Sequence, residues 1–272
     1  MKKVVLITGA TGGIGFQTAQ FLQREGYIVY GAGRDEEKIK KLDQAGIHGI
    51  QFDMTDKDSM VAAVTTIISQ EGHIDVLINN AGYGSYGAIE DVDLTEARRQ
   101  FEVNLFGVAE LTKLVLPHMR RQKEGRVINV SSMGGRFTSY FGAWYHATKY
   151  ALEAFSDALR MEVASFGIQV VLIEPGPIKT DWGFIAAEHL KASAQNGAYE
   201  KDANQAAEHL KAIYSGQLLS QPVIISKTIS KAVSKKRPKP RYLVGFGAKP
   251  LVFLHTILPA RCFDFLMVRG IR

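Results

Sequence analysis

The sequence predicts a doubly wound α/β fold, in which one mostly parallel sheet carries helices on both faces. Short apolar runs rich in β-branched residues recur along the chain, and stretches with helical periodicity lie between them. Because this alternation is typical of β–α–β units with right-handed crossovers, we expect helices on both sides of a single sheet. The predicted strands cover residues 4–7, 27–30, 49–52, 76–78, 126–130, 170–173 and 242–244.

The predicted helices cover residues 15–24, 59–70, 96–121 and 150–165. With 272 residues, of which 46% are apolar, the chain can bury one large core, so we predict a single Rossmann-type domain over residues 1–272. In such a sheet the ligand crevice lies beyond the carboxyl ends of the strands. Candidate functional residues are therefore expected in the loops that follow strands.

Residues 178–221 interrupt the alternation, and the heptapeptide AAEHLKA occurs there twice, at 186–192 and 206–212. Its strong helix formers predict two short helices, which we interpret as a lid inserted over the crevice. Residues 245–272 form an apolar C-terminal segment. We expect this segment to cover the pocket or an interface, because five of its side chains are too apolar to remain exposed. They are Phe253, Leu254, Leu258, Phe263 and Leu266.

The net charge of +6 is unevenly distributed, because residues 220–272 hold eleven basic side chains and one acidic one. A basic, apolar terminus is compatible with peripheral membrane contact, and a solvated charged face is the simpler alternative. The basic residues lack a reading motif for nucleic acid, so no such partner is expected. The single cysteine, Cys262, is expected to serve packing. Together with the lack of a signal peptide or membrane-spanning run, it predicts a cytoplasmic protein.

A glycine-rich loop directly follows the first predicted strand and opens the first helix. Its candidate cofactor-binding residues are Gly9, Thr11, Gly12, Gly13, Ile14 and Gly15. At such a loop bare backbone can approach a pyrophosphate, and the N–H groups of the helix start can bind it. The spacing resembles the TGxxxGxG loop of short-chain dehydrogenases/reductases. The sequence therefore predicts a dinucleotide cofactor.

The end of the second strand predicts which dinucleotide binds. A carboxylate there would bind the 2′-hydroxyl of the adenosine ribose, whereas a cation would meet a 2′-phosphate. The acidic position is occupied by Gly33, and Arg34 follows with a planar set of donors that suits a phosphate. We therefore predict NADP(H) rather than NAD(H). The alternative is that Arg34 only begins the second helix as a solvated residue.

Further motifs of the same family occur in order as far as Thr180. Asn79-Asn80-Ala81-Gly82 matches the family's NNAG element, and Pro175-Gly176 resembles its PG element. The resemblance implies that Asp53 and Met54 line the adenine pocket. It also implies that Asn80, Ala81 and Gly82 pass close to the cofactor, with a purely structural turn as the alternative. The resemblance further implies a nicotinamide site lined by Pro175, Gly176, Ile178 and Thr180.

Tyr145 and Lys149 are spaced i to i+4, so on a helix both side chains lie on one face and reach one substrate. A carbonyl that accepts hydride develops negative charge, which must be stabilised and protonated, and a phenol can donate that proton. Lys149 would favour the phenolate and bind the nicotinamide ribose. Ser132 precedes Tyr145 by thirteen residues, as in short-chain dehydrogenases, and is expected to hydrogen-bond the substrate oxygen. The resemblance implies that Asn104 holds a water linking Lys149 to solvent.

These motifs predict an NADP(H)-dependent oxidoreductase that moves a hydride between the cofactor and a carbonyl or alcohol; the alternative is a catalytically idle NADP(H)-binding sensor or scaffold. Aromatic walls predict a bulky lipophilic ketone, aldehyde or alcohol of steroid, retinoid or lipid type. The segment from Arg237 onward is similar to the ends of hydroxysteroid and retinol dehydrogenases. Related enzymes pair through their fourth and fifth helices, which implies a homodimer or homotetramer. About half of the candidate wall residues are expected to pack the core or an oligomer contact instead. The candidates are Tyr83, Tyr86, Met133, Phe137, Tyr140, Phe141, Trp144, Trp182 and Phe184. No metal site is expected, because His189 and His209 are interpreted as surface residues.

Overall fold

The computed structural model describes residues 2–269, and its centre is a seven-stranded sheet in which every pairing is parallel. The strands are β1 (Val4–Thr8), β2 (Ile28–Gly33), β3 (His48–Gln51), β4 (Val76–Asn79), β5 (Gly125–Val130), β6 (Ile168–Pro175) and β7 (Arg241–Val244). Their order, β3-β2-β1-β4-β5-β6-β7, runs outward in both directions from the β1–β4 pair. The predicted doubly wound fold is confirmed, and each predicted strand overlaps an observed one.

Eleven α-helices of the described residues cover both faces of this sheet. They are α1 (Gly13–Arg24), α2 (Glu36–Gln44), α3 (Lys57–Glu71), α4 (Leu94–Phe101), α5 (Gly107–Gln122), α6 (Ala143–Val163), α7 (Trp182–Ser193), α8 (Glu200–Ser215), α9 (Val223–Ser234), α10 (Ala248–Ile257) and α11 (Ala260–Arg269). Alternate residues of a strand point to opposite faces, so β1 contributes to two cores. Val4 and Leu6 pack with α3, α5 and α6, whereas Val5 and Ile7 pack with α1, α2 and α9.

The helix predicted over residues 96–121 contains a wider turn. A π-helical segment, Glu102–Phe106, separates α4 from α5, and Asn104 is buried within it. π-Helical turns place one extra residue in a helix and are frequent at functional sites. The periodicity of the sequence predicts a regular helix here because one inserted residue barely disturbs an apolar pattern of this length.

The predicted lid region holds two helices, and the repeated heptapeptide lies within α7 and α8. These helices pack against each other through alanines and Leu190, and the same cluster includes Ala88 and Phe141 from the body of the domain. Next along the chain, α9 packs against α1, where the hydroxyl groups of Thr18 and Ser226 lie 3.1 Å apart. After the two lid helices, the chain therefore rejoins the helices that cover the sheet before it enters β7.

The C-terminal segment packs only in part, and three expectations about it are wrong. Phe263 is buried as predicted, where its ring contacts Phe137, but Phe253 is 62% exposed and Leu266 is 50% exposed. Cys262 is also exposed rather than packed. The physical reason is that α10 and α11 each present one buried stripe to the domain, so the opposite stripe faces outward. Residues 270–272 of the predicted segment lie outside the described residues.

Candidate functional site

The loops after β1, β4, β5 and β6 meet at one edge of the sheet and line a cavity of about 860 Å³. The cavity lies beside the β1–β4 pair, where the strand order reverses and an α/β sheet opens a crevice. The predicted site residues that line it are Gly9, Gly12, Gly13, Ile14, Asn80, Ala81, Gly82, Ser132, Tyr145, Lys149, Pro175, Gly176, Ile178 and Thr180. The residues predicted to bind the cofactor and those predicted to be catalytic therefore line the same cavity.

A second cavity of about 380 Å³ adjoins the first, because Gly9, Ala81 and Gly82 line both. It contains the other predicted adenosine-side residues, Thr11, Arg34, Asp53 and Met54. Of all the predicted site residues, only Gly15 and Asn104 line neither cavity. Both are buried directly behind residues that do.

The glycine loop has a shape that requires glycine. Gly9 and Gly13 have φ values of 64° and 51°, in the left-handed region. A Cβ at Gly15 would lie 2.1 Å from the carbonyl oxygen of Gly9, whereas a Cβ at Gly12 would meet nothing within 4 Å. The N-cap residue of α1 is Gly12, which has no side chain to cap the helix. A closely folded loop, open space above Gly12 and uncapped N–H groups fit a pyrophosphate group.

Asn80 joins the loop after β4 to the glycine loop. Its side-chain amide donates to the carbonyl oxygens of Thr8 and Gly9, at 3.0 and 3.2 Å. The Thr8 hydroxyl oxygen in turn accepts from the backbone N–H groups of Asn80 and Ala81. These contacts use the Asn80 amide for support, so its part in the site is to fix the loop that lines the cavity.

Tyr145 and Lys149 lie on the first two turns of α6, with both side chains toward the cavity. The Lys149 ammonium lies 5.9 Å from the centre of the Tyr145 ring and donates to the carbonyl oxygen of Val130 at 3.1 Å. Ser132 follows β5, hydrogen-bonds Tyr145 and accepts from the backbone N–H of Gly134 at 3.0 Å. The end of β5 and the start of α6 thus bring a hydroxyl, a phenol and an ammonium together.

Burial disfavours the charged forms of Tyr145 and Lys149. It raises the pKa of Tyr145, as does the neighbouring Tyr86, while the hydrogen bond with Ser132 acts in the opposite direction. Burial lowers the pKa of Lys149 to about 8, although the Glu153 carboxylate opposes this. The phenol is therefore protonated near neutral pH, and the lysine lies close to its titration point.

Asn104 supports the backbone on the opposite side of the group formed by Ser132, Tyr145 and Lys149. Its side-chain amide donates to the carbonyl oxygen of Tyr83 at 2.9 Å and to the Thr148 hydroxyl at 3.0 Å, and its oxygen accepts from the Tyr83 N–H. A Cβ on Gly82 would lie 3.0 Å from that oxygen and 3.6 Å from the Lys149 ammonium. Asn104 therefore fixes the backbone beside Lys149 from within the π-helical turn.

Arg34 lies at the mouth of the second cavity in a loose ion pair with Asp53, at 3.5 Å. Although partial burial acts to raise it, hydrogen bonds from Thr55 and the Arg34 charge hold the pKa of Asp53 below its usual value. Arg99 and Tyr83 also line this cavity. A second cation, which the motifs did not identify, therefore reaches the adenosine end.

Aromatic side chains form the outer wall of the large cavity, as predicted for many of them. Tyr83, Tyr86, Met133, Phe137, Tyr140 and Trp182 line it. The rings of Tyr145 and Trp182 lie 5.0 Å apart, and Tyr86 lies 5.9 Å from each. Phe141, Trp144 and Phe184 do not line the cavity, and Phe141 packs into the α7–α8 cluster, as expected for about half of the candidates.

The motifs missed His146, which is buried beside Tyr145. The backbone N–H of Ser139 donates to its Nε2 at 3.0 Å, so Nδ1 carries the proton donated to the Gly134 carbonyl oxygen at 2.8 Å. Burial lowers the pKa of His146, which favours this neutral form. The residue ties the loop after β5 to α6. Its position next to Tyr145 was the only sequence signal.

The C-terminal helices line the cavity, as expected of a segment that covers the pocket, and the lid adds a ring that the sequence did not specify. Tyr214 of α8 lies 6.0 Å from Trp182, and a Cβ on Gly183 would lie 2.2 Å from its ring. Leu251, Leu266 and Met267 come from α10 and α11. His189 and His209 are exposed as expected, although each also lines a cavity. Within residues 2–269, no cluster of three side chains suited to a metal ion is present.

None of the helices in the described part of the chain has the length and apolar character needed to cross a bilayer.

Comparison with known proteins identifies similar chains. The family model described as "short chain dehydrogenase" matches residues 3–191. The chain is 36% identical to a probable short-chain type dehydrogenase/reductase, VdlC, of Helicobacter pylori over 97% of this chain and 96% of that one. It is 39% identical to the 3-ketodihydrosphingosine reductase of Bacteroides thetaiotaomicron, covering 89% and 88% of the two chains.

Solved structures give the same result. A short-chain dehydrogenase from Streptomyces avermitilis has a TM-score of 0.80 at 30% identity, with 94% of this chain and 92% of that chain covered. Actinorhodin polyketide ketoreductase, solved with NADPH, has a TM-score of 0.74 at 28% identity, covering 88% and 94%.

Proposed function

Because the chain belongs to the short-chain dehydrogenase family of oxidoreductases, we propose that it transfers hydride between NADP(H) and a ketone or secondary alcohol on a bulky lipophilic molecule. The observation that carries the proposal is the position of Ser132, Tyr145 and Lys149 on one cavity wall. That cavity also contains the glycine loop at one end and aromatic side chains at the other.

The residues of the cavity suit a nicotinamide dinucleotide, which supplies or accepts the hydride when bound. Gly12, Gly13 and Ile14 would hold the pyrophosphate through backbone N–H groups. Pro175, Gly176, Ile178 and Thr180 would line the nicotinamide end, and Asp53 and Met54 the adenine end. Tyr145 is then placed between the glycine loop and the aromatic wall, where a substrate oxygen would meet it.

Arg34 supports NADP(H) over NAD(H). Its ion pair with Asp53 is long and solvent-exposed, so the pair stabilises the free site by only about 0–1 kcal/mol. A 2′-phosphate dianion offers stronger, bidentate acceptors to the same guanidinium. Arg99 adds positive charge to the same cavity. The similar ketoreductase solved with NADPH supports this choice.

In the reductive direction, Tyr145 would donate its phenolic proton to the substrate oxygen as negative charge develops there. Ser132 would stabilise that oxygen with a second hydrogen bond. Lys149 would stabilise the resulting phenolate and bind the nicotinamide ribose; its ammonium, already near the ring, is suited to the first of these roles. Asn104 would keep the loop at Tyr83 and the water path beside Lys149 in place.

An apolar, elongated substrate fits the remaining lining. Beyond Tyr145 the cavity is bounded by Tyr86 and Trp182, by Ile213 and Tyr214 of the lid, and by the C-terminal helices. A relative named for reducing 3-ketodihydrosphingosine supports a ketone on a lipid chain, among the lipid, steroid and retinoid classes. We therefore place the carbonyl at Tyr145 and the apolar remainder against α8, α10 and α11.

The test is turnover, followed by NADPH absorbance, on a panel containing 3-ketodihydrosphingosine, a ketosteroid, retinal and a short soluble ketone. We expect reduction of at least one lipophilic carbonyl. Tyr145→Phe should lower kcat by about 10²–10⁴-fold while NADPH still binds, because only the proton donor is lost. Tyr27→Phe is the matched control, since Tyr27 lies just before β2 and lines neither cavity. Retained NADPH binding with no turnover of any carbonyl by the parent protein would instead support the sensor alternative.

We also propose that the enzyme is a homodimer or homotetramer paired through the predicted fourth helix, which α4 and α5 cover, and the predicted fifth helix, which is α6. Large apolar side chains stand exposed along this side, among them Phe106, Met161 and Phe166. Light scattering coupled to size-exclusion chromatography tests the assembly. A monomer at micromolar concentration would contradict the proposal.

A further inference from the structure

The outward stripe of α10 and α11 is an exposed apolar surface. Phe253 and Ile257, one turn apart on α10, are 62% and 56% exposed, and Phe265 and Leu266 on α11 are 58% and 50% exposed. The buried residues of the same helices, Val252 and Phe263, pack on Phe137. The apolar stripe therefore points away from the domain, and within the described residues nothing covers it.

Basic side chains continue these apolar stripes. Lys249 precedes Phe253 by one helical turn, and Arg261 and Arg269 lie one turn before and after Phe265. The Arg269 guanidinium lies 5.4 Å from the centre of the Phe265 ring. All three cations are exposed. Residues i and i+4 share a helix face, so within each of the two helices the apolar tips and the cations lie side by side.

The same two helices also line the large cavity. Leu251, Leu266 and Met267 line the cavity, and Leu266 is also half exposed on the outward side. α10 and α11 thus form part of the boundary between the cavity and the exterior. A molecule leaving the cavity past Leu266 would reach the apolar stripe.

We propose that this surface, formed by Lys249, Phe253, Ile257, Arg261, Phe265 and Arg269, docks on an anionic phospholipid bilayer. The apolar tips would enter the interfacial region while the cations contact lipid phosphates. Charge favours this occupant, since the described residues of α10 and α11 include three exposed cations, Lys249, Arg261 and Arg269, and one acidic residue, Asp264. The docked orientation would bring this wall of the cavity to the source of a lipophilic substrate, a consequence that rests on the proposed function.

A second copy of the chain fits the surface less well. A two-fold pairing would bring the same patch of both copies together, including Lys249, Arg261 and Arg269 from each. Asp264 would be the one carboxylate per copy available to offset them. Like charges at such an interface oppose association, whereas anionic lipid neutralises them.

Sedimentation with phosphatidylcholine vesicles, with and without phosphatidylglycerol, tests the proposal without requiring turnover. We expect binding to the anionic vesicles that weakens several-fold at high salt. The double variant F253S/F265S should bind at least about tenfold more weakly, because two aromatic insertions are lost. K249E/R261E should bind weakly and lose its salt dependence. Val61→Ser, which changes a 38% exposed side chain on α3, should bind like the parent.

Melting temperatures equal to that of the parent would show that the variants fold. Equal sedimentation of F253S/F265S and the parent, or no binding by the parent, would overturn the proposal. So would conversion of an oligomer to a monomer by F253S/F265S without loss of vesicle binding, which would assign the surface to a second copy. Failure of every carbonyl substrate with vesicle binding intact would count against the proposed function alone.

Discussion

Arg241 of β7 compensates a buried cluster of carboxylates behind the site, and its removal should destabilise the fold in a pH-dependent way. Its guanidinium lies 3.2 Å from Glu153 and 3.1 Å from Glu174, and it also pairs with Asp157. Glu174 is 1% exposed, and Glu153 is nearly as buried. Arg136 also reaches Glu174, at 3.3 Å. In Arg241→Met, Glu153 would have no cation in contact.

Breaking a buried ion pair by removing one partner costs about 3–5 kcal/mol. For a domain of this size about 1 kcal/mol corresponds to 2–4 °C, so the melting temperature of Arg241→Met should fall by roughly 10 °C at pH 8. Burial already raises the pKa of Glu153 to about 7, with Glu174 adding to the shift and Arg241 opposing it. Loss of Arg241 therefore raises that pKa further.

The sign of the pH dependence follows from this shift. A carboxyl whose pKa is raised in the folded state binds its proton more tightly there, so the folded state loses stability as pH rises above 4.5 towards 7 and beyond. The difference in melting temperature between the parent and Arg241→Met should thus be smaller at pH 6 than at pH 8. Adding Glu153→Gln should recover part of it.

Differential scanning fluorimetry or calorimetry at the two pH values measures the effect. Arg160→Met is the matched control, because Arg160 pairs only with the partly exposed Asp157 in the same helix and should cost about 1 kcal/mol or less. A deficit below about 2 °C at pH 8, or one that grows at pH 6, would refute the argument that Arg241 compensates buried charge.

Three further outcomes are expected. Arg34→Gln should raise the KM for NADPH about tenfold or more and leave that for NADH nearly unchanged; equal changes in the two values would contradict phosphate recognition. Lys149→Met should inactivate the enzyme yet stabilise the fold by about 2 kcal/mol at pH 7, because a buried ammonium is removed at the cost of one hydrogen bond. That gain, measured by urea unfolding, should shrink as pH rises from 8 to 10.5, where the parent lysine also becomes neutral in the unfolded chain. Gly15→Ala should abolish NADPH binding measured by fluorescence, since its methyl group would lie 2.1 Å from the Gly9 oxygen; unchanged affinity would show that the loop can yield.

The strands could be predicted because a parallel sheet covered on both faces requires continuous apolar, β-branched runs. α2 was harder to recognise. Its segment is mostly charged, and only Ile39 and Leu42 are buried in it. The exposed stripe of α10 and α11 was predicted wrongly because apolar content alone does not distinguish two stripes of one helix.

The glycine loop and the Tyr145–Lys149 spacing could be recognised because each is local and depends on one turn of backbone. The position of Asn104 depends on a π-helical turn, and those of Tyr214 and Leu266 depend on tertiary packing. Short local sequence patterns contain no information on either the π-helical turn or the tertiary packing.

The π-helical turn also links the packing of two helices to the loop beside the site. A turn of this kind holds one residue more than a regular turn and widens the helix locally. Ala97 and Gln100 of α4 are buried before it, and Val108, Leu111 and Val115 of α5 are buried after it. Asn104 lies within it and donates its amide to Tyr83 and Thr148. Deleting one residue from 102–106 should therefore displace the Asn104 amide from the backbone beside Lys149 while α4 and α5 remain helical.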